Sequence, residues 1–129
     1  MKYFILFLTT LFILGCETEK KENEGAKKKL HHTVGFKWKE GAPLDSIKLS
    51  AQKTLGEIPL YAGDFQYGDN SVSSIDQQFA RGHQHVLHVT FWSEFDRDSL
   101  YMPHPLHIKF GTTWGAFIDE IVVFDVWDD

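Results

Sequence analysis

Cysteine is nearly absent from this chain, which has one, Cys16, among its 129 residues. A single thiol cannot form a disulfide within the chain, and it cannot build a zinc site from several cysteines. Any domain in the chain must therefore be held together by the burial of apolar side chains.

Basic residues are scarce in the C-terminal 100 residues. Residues 30–129 contain seven Lys or Arg against fourteen Asp or Glu, a formal charge of −7. They have no basic cluster that could follow a phosphate backbone, so we expect no nucleic acid partner. Their length fits one domain with a single core.

The chain has one long apolar run, twelve residues from Tyr3 to Leu14. This run is shorter than the ~20 residues that a membrane-spanning helix needs. It follows Lys2 and leads into Ile13-Leu14-Gly15-Cys16, so this end resembles the signal of a bacterial lipoprotein. The resemblance implies that residues 1–16 are a signal peptide, that Cys16 is lipidated, and that the lipid anchors the protein in the cell envelope, at the outer membrane.

Residues 17–29, ETEKKENEGAKKK, contain no large apolar side chain. Such a segment cannot bury enough surface to offset the entropy of ordering, so it is predicted to be a disordered tether. The acidic and Lys-rich composition is similar to the stretch by which some lipoproteins reach the outer face of the outer membrane. A solvated spacer of the same composition is the alternative.

Alternating apolar residues predict strands through most of residues 30–129. Val34, Phe36 and Trp38 alternate with smaller or polar residues, and alternation recurs in 87–91, 106–110 and 121–127. The last segment is apolar on both sides, which predicts a central strand. With fifteen aromatic residues in the domain, the pattern favours a mainly β fold, an antiparallel β-sandwich of jelly-roll or immunoglobulin-like type.

Three shorter segments are less uniform. Residues 71–81 carry apolar side chains at helical spacing and predict a short helix after a turn at 68–70. Residues 44–55 fit a helix and a strand almost equally, and Leu49, which falls off the helical stripe, favours the strand. Residues 58–61 predict an edge strand because of Pro59. An α+β fold with helices packed on an antiparallel sheet is the alternative.

The C-terminal third resembles laminin-G-like and concanavalin-like jelly rolls. The similar segments are HVLHVTF (85–91), SLYM (99–102), PLHIKFG (105–111) and GAFIDEIVVFD (115–125). This resemblance implies a closing jelly-roll strand at 115–125 and a glycan ligand.

Histidine is the residue type with the clearest chemical potential, because all seven lie in residues 30–129. If Asp96–Ser99 turns the chain, His88 lies opposite His107, and the same register aligns the apolar residues around them. Imidazoles bind Zn and Cu. The candidate ligands are His85, His88, His104 and His107; a histidine-rich surface without metal is the alternative. His31 and His32 are expected to be solvated.

Two tryptophans and several carboxylates are further candidates. Trp92 and Trp114 could stack against a sugar, or they could close the edges of a sandwich. Asp119, Glu120 and Asp125 could offer oxygen ligands to calcium, or they could be solvated charges. No pair of nucleophile and base is evident, so we expect no enzyme. The sequence predicts a lipid-anchored envelope module that binds a glycan or an envelope protein; a His-based Zn or Cu lipoprotein is the alternative.

Overall fold

The computed structural model describes residues 27–129. In chain order they form β1 (Leu30–Trp38), α1 (Leu44–Lys53), β2 (Gln66–Asp69), α2 (Gln77–Ala80), β3 (His85–Phe91), α3 (Pro105–Trp114) and β4 (Ile118–Trp127). A π-helical turn spans Asp96–Tyr101, and 3-10 turns span Leu55–Glu57 and Gly115–Phe117. The predicted signal peptide and most of the predicted tether lie outside the described residues. No helix within residues 27–129 is long and apolar enough to cross a membrane.

The four strands form one antiparallel sheet in the order β2-β3-β1-β4. Helices α1 and α3 pack against one side of it, which we call the inner face; the other side is the open face. Because side chains alternate along a strand, one half of β1 and β3 is buried under the helices. The inner face comprises Leu30, His32, Val34, Phe36, Trp38, His85, Leu87, Val89 and Phe91.

The predicted β-sandwich is therefore wrong. A sandwich needs a second sheet over the inner face, and here that place is taken by helices whose apolar side chains complete the core. Ile47 and Ala51 of α1 are fully buried in it, together with Tyr101 and Phe110. The alternative of an α+β fold matches this architecture.

Residues 44–53 are a helix and not the favoured strand. Pro43 precedes the first turn, where its missing N–H costs no hydrogen bond. Ile47 and Ala51 face the core one turn apart, while Leu49 is 52% exposed. The residue that weighed against a helix thus lies on the solvent side of one.

Residues 105–114 are also helical, although they were predicted to be a strand opposite β3. The ring of His104 caps the helix by accepting a hydrogen bond from the N–H of Leu106, and Pro105 begins the first turn. The helix buries Phe110 and leaves Ile108 50% exposed. A capping residue followed by proline is the local signal for the start of this helix, and the strand-like alternation of apolar residues outweighed it in the prediction.

Strand β4 lies at the edge of the sheet and not at its centre as predicted. It pairs with β1 alone, and its apolar side chains are exposed on both faces, with Phe124 at 61% on the open face and Val123 at 48% on the inner face. Apolar residues on both sides of a strand predict that both faces are covered, but the cover need not come from the same chain.

The short segments also differ from their predictions. Only Gln77–Ala80 of the predicted 71–81 helix is helical, and it has no buried residue. Residues 58–61 form no strand, and β2 occupies 66–69, partly where a turn was predicted.

Candidate functional site

A cavity of about 280 Å³ lies between the inner face and helix α3. Its walls are mostly apolar, which is typical of sites for small molecules. Three polar side chains interrupt them: His32 from β1, Tyr101 from the π-helical turn and His107 from α3. The apolar lining includes Val34, Leu55, Leu87, Phe110, Ile121 and Val123.

His32 is held in a defined orientation by the neighbouring strand. The register places it beside Asp125 of β4, and its Nδ1 lies 2.6 Å from Asp125 Oδ1. A carboxylate only accepts hydrogen bonds, so Nδ1 carries the proton and donates it. Nε2 is then the basic nitrogen, and it has no hydrogen-bond partner within residues 27–129. The arrangement is a histidine base oriented by an aspartate.

His107 and Tyr101 lie next to each other on the opposite wall. Their ring centroids are 4.6 Å apart, and the ring of Tyr101 is 6.0 Å from that of His32. His107 Nδ1–H donates to the carbonyl of Met102 at 3.0 Å, and burial lowers the pKa of His107. Burial raises the pKa of Tyr101. At neutral pH the cavity therefore holds a neutral imidazole and a protonated phenol.

A second buried histidine, His85, lies on the inner face outside this cavity. Its Nδ1 is 3.1 Å from the hydroxyl of Tyr67, and its Nε2 is 3.5 Å from Asp69 Oδ1. Burial lowers the pKa of His85. The ring packs against Trp38 and Tyr67. We interpret it as a hydrogen-bonded core histidine.

The four predicted metal ligands are not brought together. His88 is on the open face, where its Nδ1 is 2.9 Å from Thr33 Oγ1, whereas His107 lies on α3 over the inner face. His104 is used as the cap of α3, and His85 is buried. Within residues 27–129 no three His, Cys, Asp or Glu side chains are grouped to hold a metal ion. The predicted Zn or Cu site is wrong.

The other predicted site residues are also dispersed. Trp92 follows β3, with the ammonium groups of Lys27 and Lys29 each 5.1 Å from its ring. Trp114 ends α3 and donates its Nε1–H to Ser50 Oγ at 2.8 Å. Asp119 pairs with Lys37, and Asp125 with His32. They form neither a stacking platform nor a set of calcium ligands.

Sequence reasoning did not bring His32, Asp125 and Tyr101 into one site. His32 was expected to be solvated, Asp125 was a candidate only for calcium, and Tyr101 was no candidate. The alternation of Val34, Phe36 and Trp38 continues backwards to His32 and Leu30, so the pattern contained the signal that His32 faces inward. Asp125 follows from the β1–β4 register, which depends on long-range pairing. No local signal indicates Tyr101.

The family model described as the stress responsive A/B barrel domain, Dabb, matches residues 30–128. The chain belongs to the Dabb family. A stress-response A/B barrel domain-containing protein of Arabidopsis thaliana is 29% identical over 94 residues, which are 73% of this chain and 81% of the relative.

Solved structures share this fold at low sequence identity. A hydroxynitrile lyase from Passiflora edulis is 18% identical with a TM-score of 0.66, over 80% of this chain and 95% of the lyase. A dimeric ferredoxin-like protein of unknown function from Thermobifida fusca is 13% identical with a TM-score of 0.63, over 78% of this chain and 92% of that one. At these identities the likeness shows the ferredoxin-like fold alone.

Membership of the Dabb family corrects the resemblances seen in the sequence. The segments similar to laminin-G and concanavalin jelly rolls are β3, the π-helical turn, α3 and β4 of a Dabb domain. Neither a glycan-binding envelope module nor a metal-binding lipoprotein is what this family supports. The family of the chain is likewise Dabb and not the lipoproteins that its N-terminal end resembles. Residues 1–16, including Cys16, lie outside the described residues.

Proposed function

We propose that the inner-face cavity binds a small, mostly apolar molecule and that His32 Nε2 accepts a proton from it. The observation that carries this proposal is the His32–Asp125 pair at the wall of an apolar cavity. General bases in enzymes are often imidazoles that a neighbouring group orients and that keep one basic nitrogen free. The protonated phenol of Tyr101 adds a hydrogen-bond donor for an oxygen atom of the ligand.

The Passiflora edulis relative, described as a hydroxynitrile lyase, suggests a test substrate. An aromatic hydroxynitrile has an apolar ring and one hydroxyl proton. In the proposed reaction His32 Nε2 takes the hydroxyl proton, the bond to the nitrile carbon breaks, and the carbonyl forms. Cyanide leaves with the electron pair of that bond, and the protonated His32 returns the proton to it.

The experiment is the release of benzaldehyde from its hydroxynitrile by the purified 27–129 domain, corrected for the spontaneous reaction. We expect catalysis by the wild-type domain and a loss of ~10²–10⁴-fold in kcat for His32→Gln, since removal of a general base costs about this much. His88→Gln, a histidine on the open face, is the matched control and should retain the activity. Equal rates in wild type and His32→Gln would refute the proposed role.

We also propose that two copies of the chain pair through the open face and strand β4. Phe124 and Val126 expose apolar surface there, and Ile121 and Val123 do so on the other side of the same strand. An exposed apolar edge strand is a surface that proteins normally cover. The Thermobifida fusca relative is described as dimeric.

Sedimentation of the domain tests this pairing. We expect a dimer for the wild type and a monomer for Phe124→Asp, because a carboxylate would be buried at the contact. Leu49→Asp, at an exposed apolar position on α1, should remain dimeric. A wild-type domain that sediments as a monomer at all concentrations would contradict the proposal.

A further inference from the structure

Arg97 connects the turn that covers the cavity to the strand that carries Asp125. It lies in the π-helical turn Asp96–Tyr101, and its Nη1 is 3.2 Å from Asp125 Oδ2. Its Nε and Nη2 donate to the two oxygens of Asp98 at 2.7 and 3.0 Å. Both sides of the guanidinium are therefore used, and the Arg97 side chain is only 17% exposed.

The two oxygens of Asp125 have different partners. Oδ1 accepts the hydrogen bond of His32 Nδ1–H. Oδ2 forms an ion pair with Arg97 Nη1 at 3.2 Å. Two contacts fix the rotation of the carboxyl group about its own axis. With the contact to His32 alone, a side chain that is 31% exposed could turn toward water. The orientation of His32 thus depends on what holds Asp125.

We infer that Arg97 is a positioning residue: it locks the Asp125 carboxylate so that His32 keeps its proton on Nδ1 and its lone pair on Nε2. This inference deepens the proposed function and rests on it for its meaning, although the contacts among Asp98, Arg97, Asp125 and His32 do not depend on that function. Asp98 anchors the guanidinium, and Arg97 transmits that fixed position across β4 to β1.

The geometry favours arginine at this position. A guanidinium presents several donors in a rigid plane, so it can grip Asp98 with one edge and Asp125 with the remaining nitrogen. A lysine has a single flexible ammonium and cannot hold both carboxylates in fixed directions. The same turn carries Tyr101, and π-helical turns of this kind are frequent at functional sites. The Arg97 side chain therefore connects Asp125, which orients His32, with the turn that carries Tyr101.

The test is the tautomer of neutral His32, read from the ¹⁵N shifts of its two ring nitrogens. In the wild type we expect the proton on Nδ1. In Arg97→Gln we expect the population to shift toward the Nε2–H form, because Nδ1 loses its fixed acceptor. Arg97→Lys should retain more of the Nδ1–H form than Arg97→Gln does, since lysine keeps the positive charge but lacks the planar set of donors of arginine.

Arg81→Gln is the matched control. Arg81 also lies beside a carboxylate of β4, 3.9 Å from Glu120, but its side chain is 73% exposed. This variant should leave the His32 signals unchanged. If Arg97→Gln does not fold, Asp98→Asn provides the test, because it releases the other edge of the guanidinium and should shift the tautomer in the same direction. Unchanged His32 shifts in the folded variant would overturn the inference.

Kinetics separates this inference from the proposed function. The tautomer needs no substrate, so a domain that cleaves no hydroxynitrile but shows the shift refutes the activity and keeps the role of Arg97. Where the activity is present, Arg97→Gln should lower kcat and leave KM nearly unchanged, because Arg97 is not among the residues that line the cavity.

Discussion

His31 and His32 are consecutive residues of β1 with opposite surroundings. His31 points to the open face, where its ring stacks on that of His88 at 5.4 Å and pairs with Asp128. His32 points to the inner face and pairs with Asp125. Because a strand turns successive side chains to opposite faces, a single step along the chain separates a surface histidine from the proposed base.

Gly35 lies where the surrounding side chains leave no room for a Cβ atom. A Cβ there would lie 2.8 Å from Val122 Cγ1 and 3.3 Å from His83 Cδ2. We predict that Gly35→Ala lowers the free energy of unfolding by about 1–3 kcal/mol, as overpacking does. Urea denaturation measures the change.

Gly68→Ala is the control for that prediction. A Cβ at Gly68, also in a strand, would meet no atom within 4 Å. This variant should be neutral or should gain about 0.5–1 kcal/mol, because alanine loses less conformational freedom on folding. If both variants lose the same stability, crowding at Gly35 is not the cause.

At the scale of the elements, β3 and β4 differ in how deeply they are buried. Phe91 of the interior strand β3 is fully buried, whereas Phe124 of the edge strand β4 is 61% exposed. We predict that Phe91→Ala costs ~3–5 kcal/mol of stability, the usual loss for a buried Phe. Phe124→Ala should cost much less in a dilute, monomeric domain. Calorimetry at low concentration measures both.

The concentration dependence adds a second readout. If two copies pair through β4, the cost of Phe124→Ala should grow as the protein concentration rises, because association stabilises the folded state. A large loss at every concentration would show that Phe124 is buried within one chain.

Some elements could be predicted from the sequence and others could not. The alternation in residues 34–38 and 87–91 correctly predicted parts of β1 and β3, because one face of each strand is buried against helices. The apolar residues of 105–114 fit a strand pattern and a helix pattern at once, and only the His104–Pro105 start distinguishes them. The edge position of β4 could not be predicted, because a strand with apolar residues on both sides has the sequence pattern of a central strand. In a single chain these residues stay exposed.

The candidate site depends on contacts between distant residues. His32 and Asp125 are 93 positions apart, and Tyr101 reaches the same cavity from a turn. Periodicity predicts which way a side chain faces but not which strand lies beside it. The histidines that are close in sequence, by contrast, do not form one site. His85 and His88 face opposite sides of β3, while His104 and His107 belong to the start of α3, so their spacing was misleading.

At the scale of the whole molecule, one buried and two partly buried histidines tie stability to pH. Burial lowers the pKa of His85, His88 and His107 in the folded chain. The unfolded chain takes up these protons near the ordinary value of about 6.5. Below that pH the unfolded state binds more protons than the folded state, so acid shifts the equilibrium toward unfolding.

We therefore predict that the urea midpoint is flat at alkaline pH and falls as the pH drops from about 6.5. The fall should be shallower in His88→Gln, which removes one of the three groups. A midpoint that stays constant or rises at about pH 5.5 would show that these histidines are protonated as readily in the folded chain as in the unfolded one.

The central claim is that the cavity under α3 binds a small apolar molecule beside His32. Its most direct test is a titration of the domain with benzaldehyde, a stable carbonyl probe, followed through the ring C–H signals of the histidines by NMR. We predict saturable shifts at His32 and His107, which line the cavity, and none at His88 on the open face. Shifts confined to His88, or no saturable shift at His32, would contradict the account.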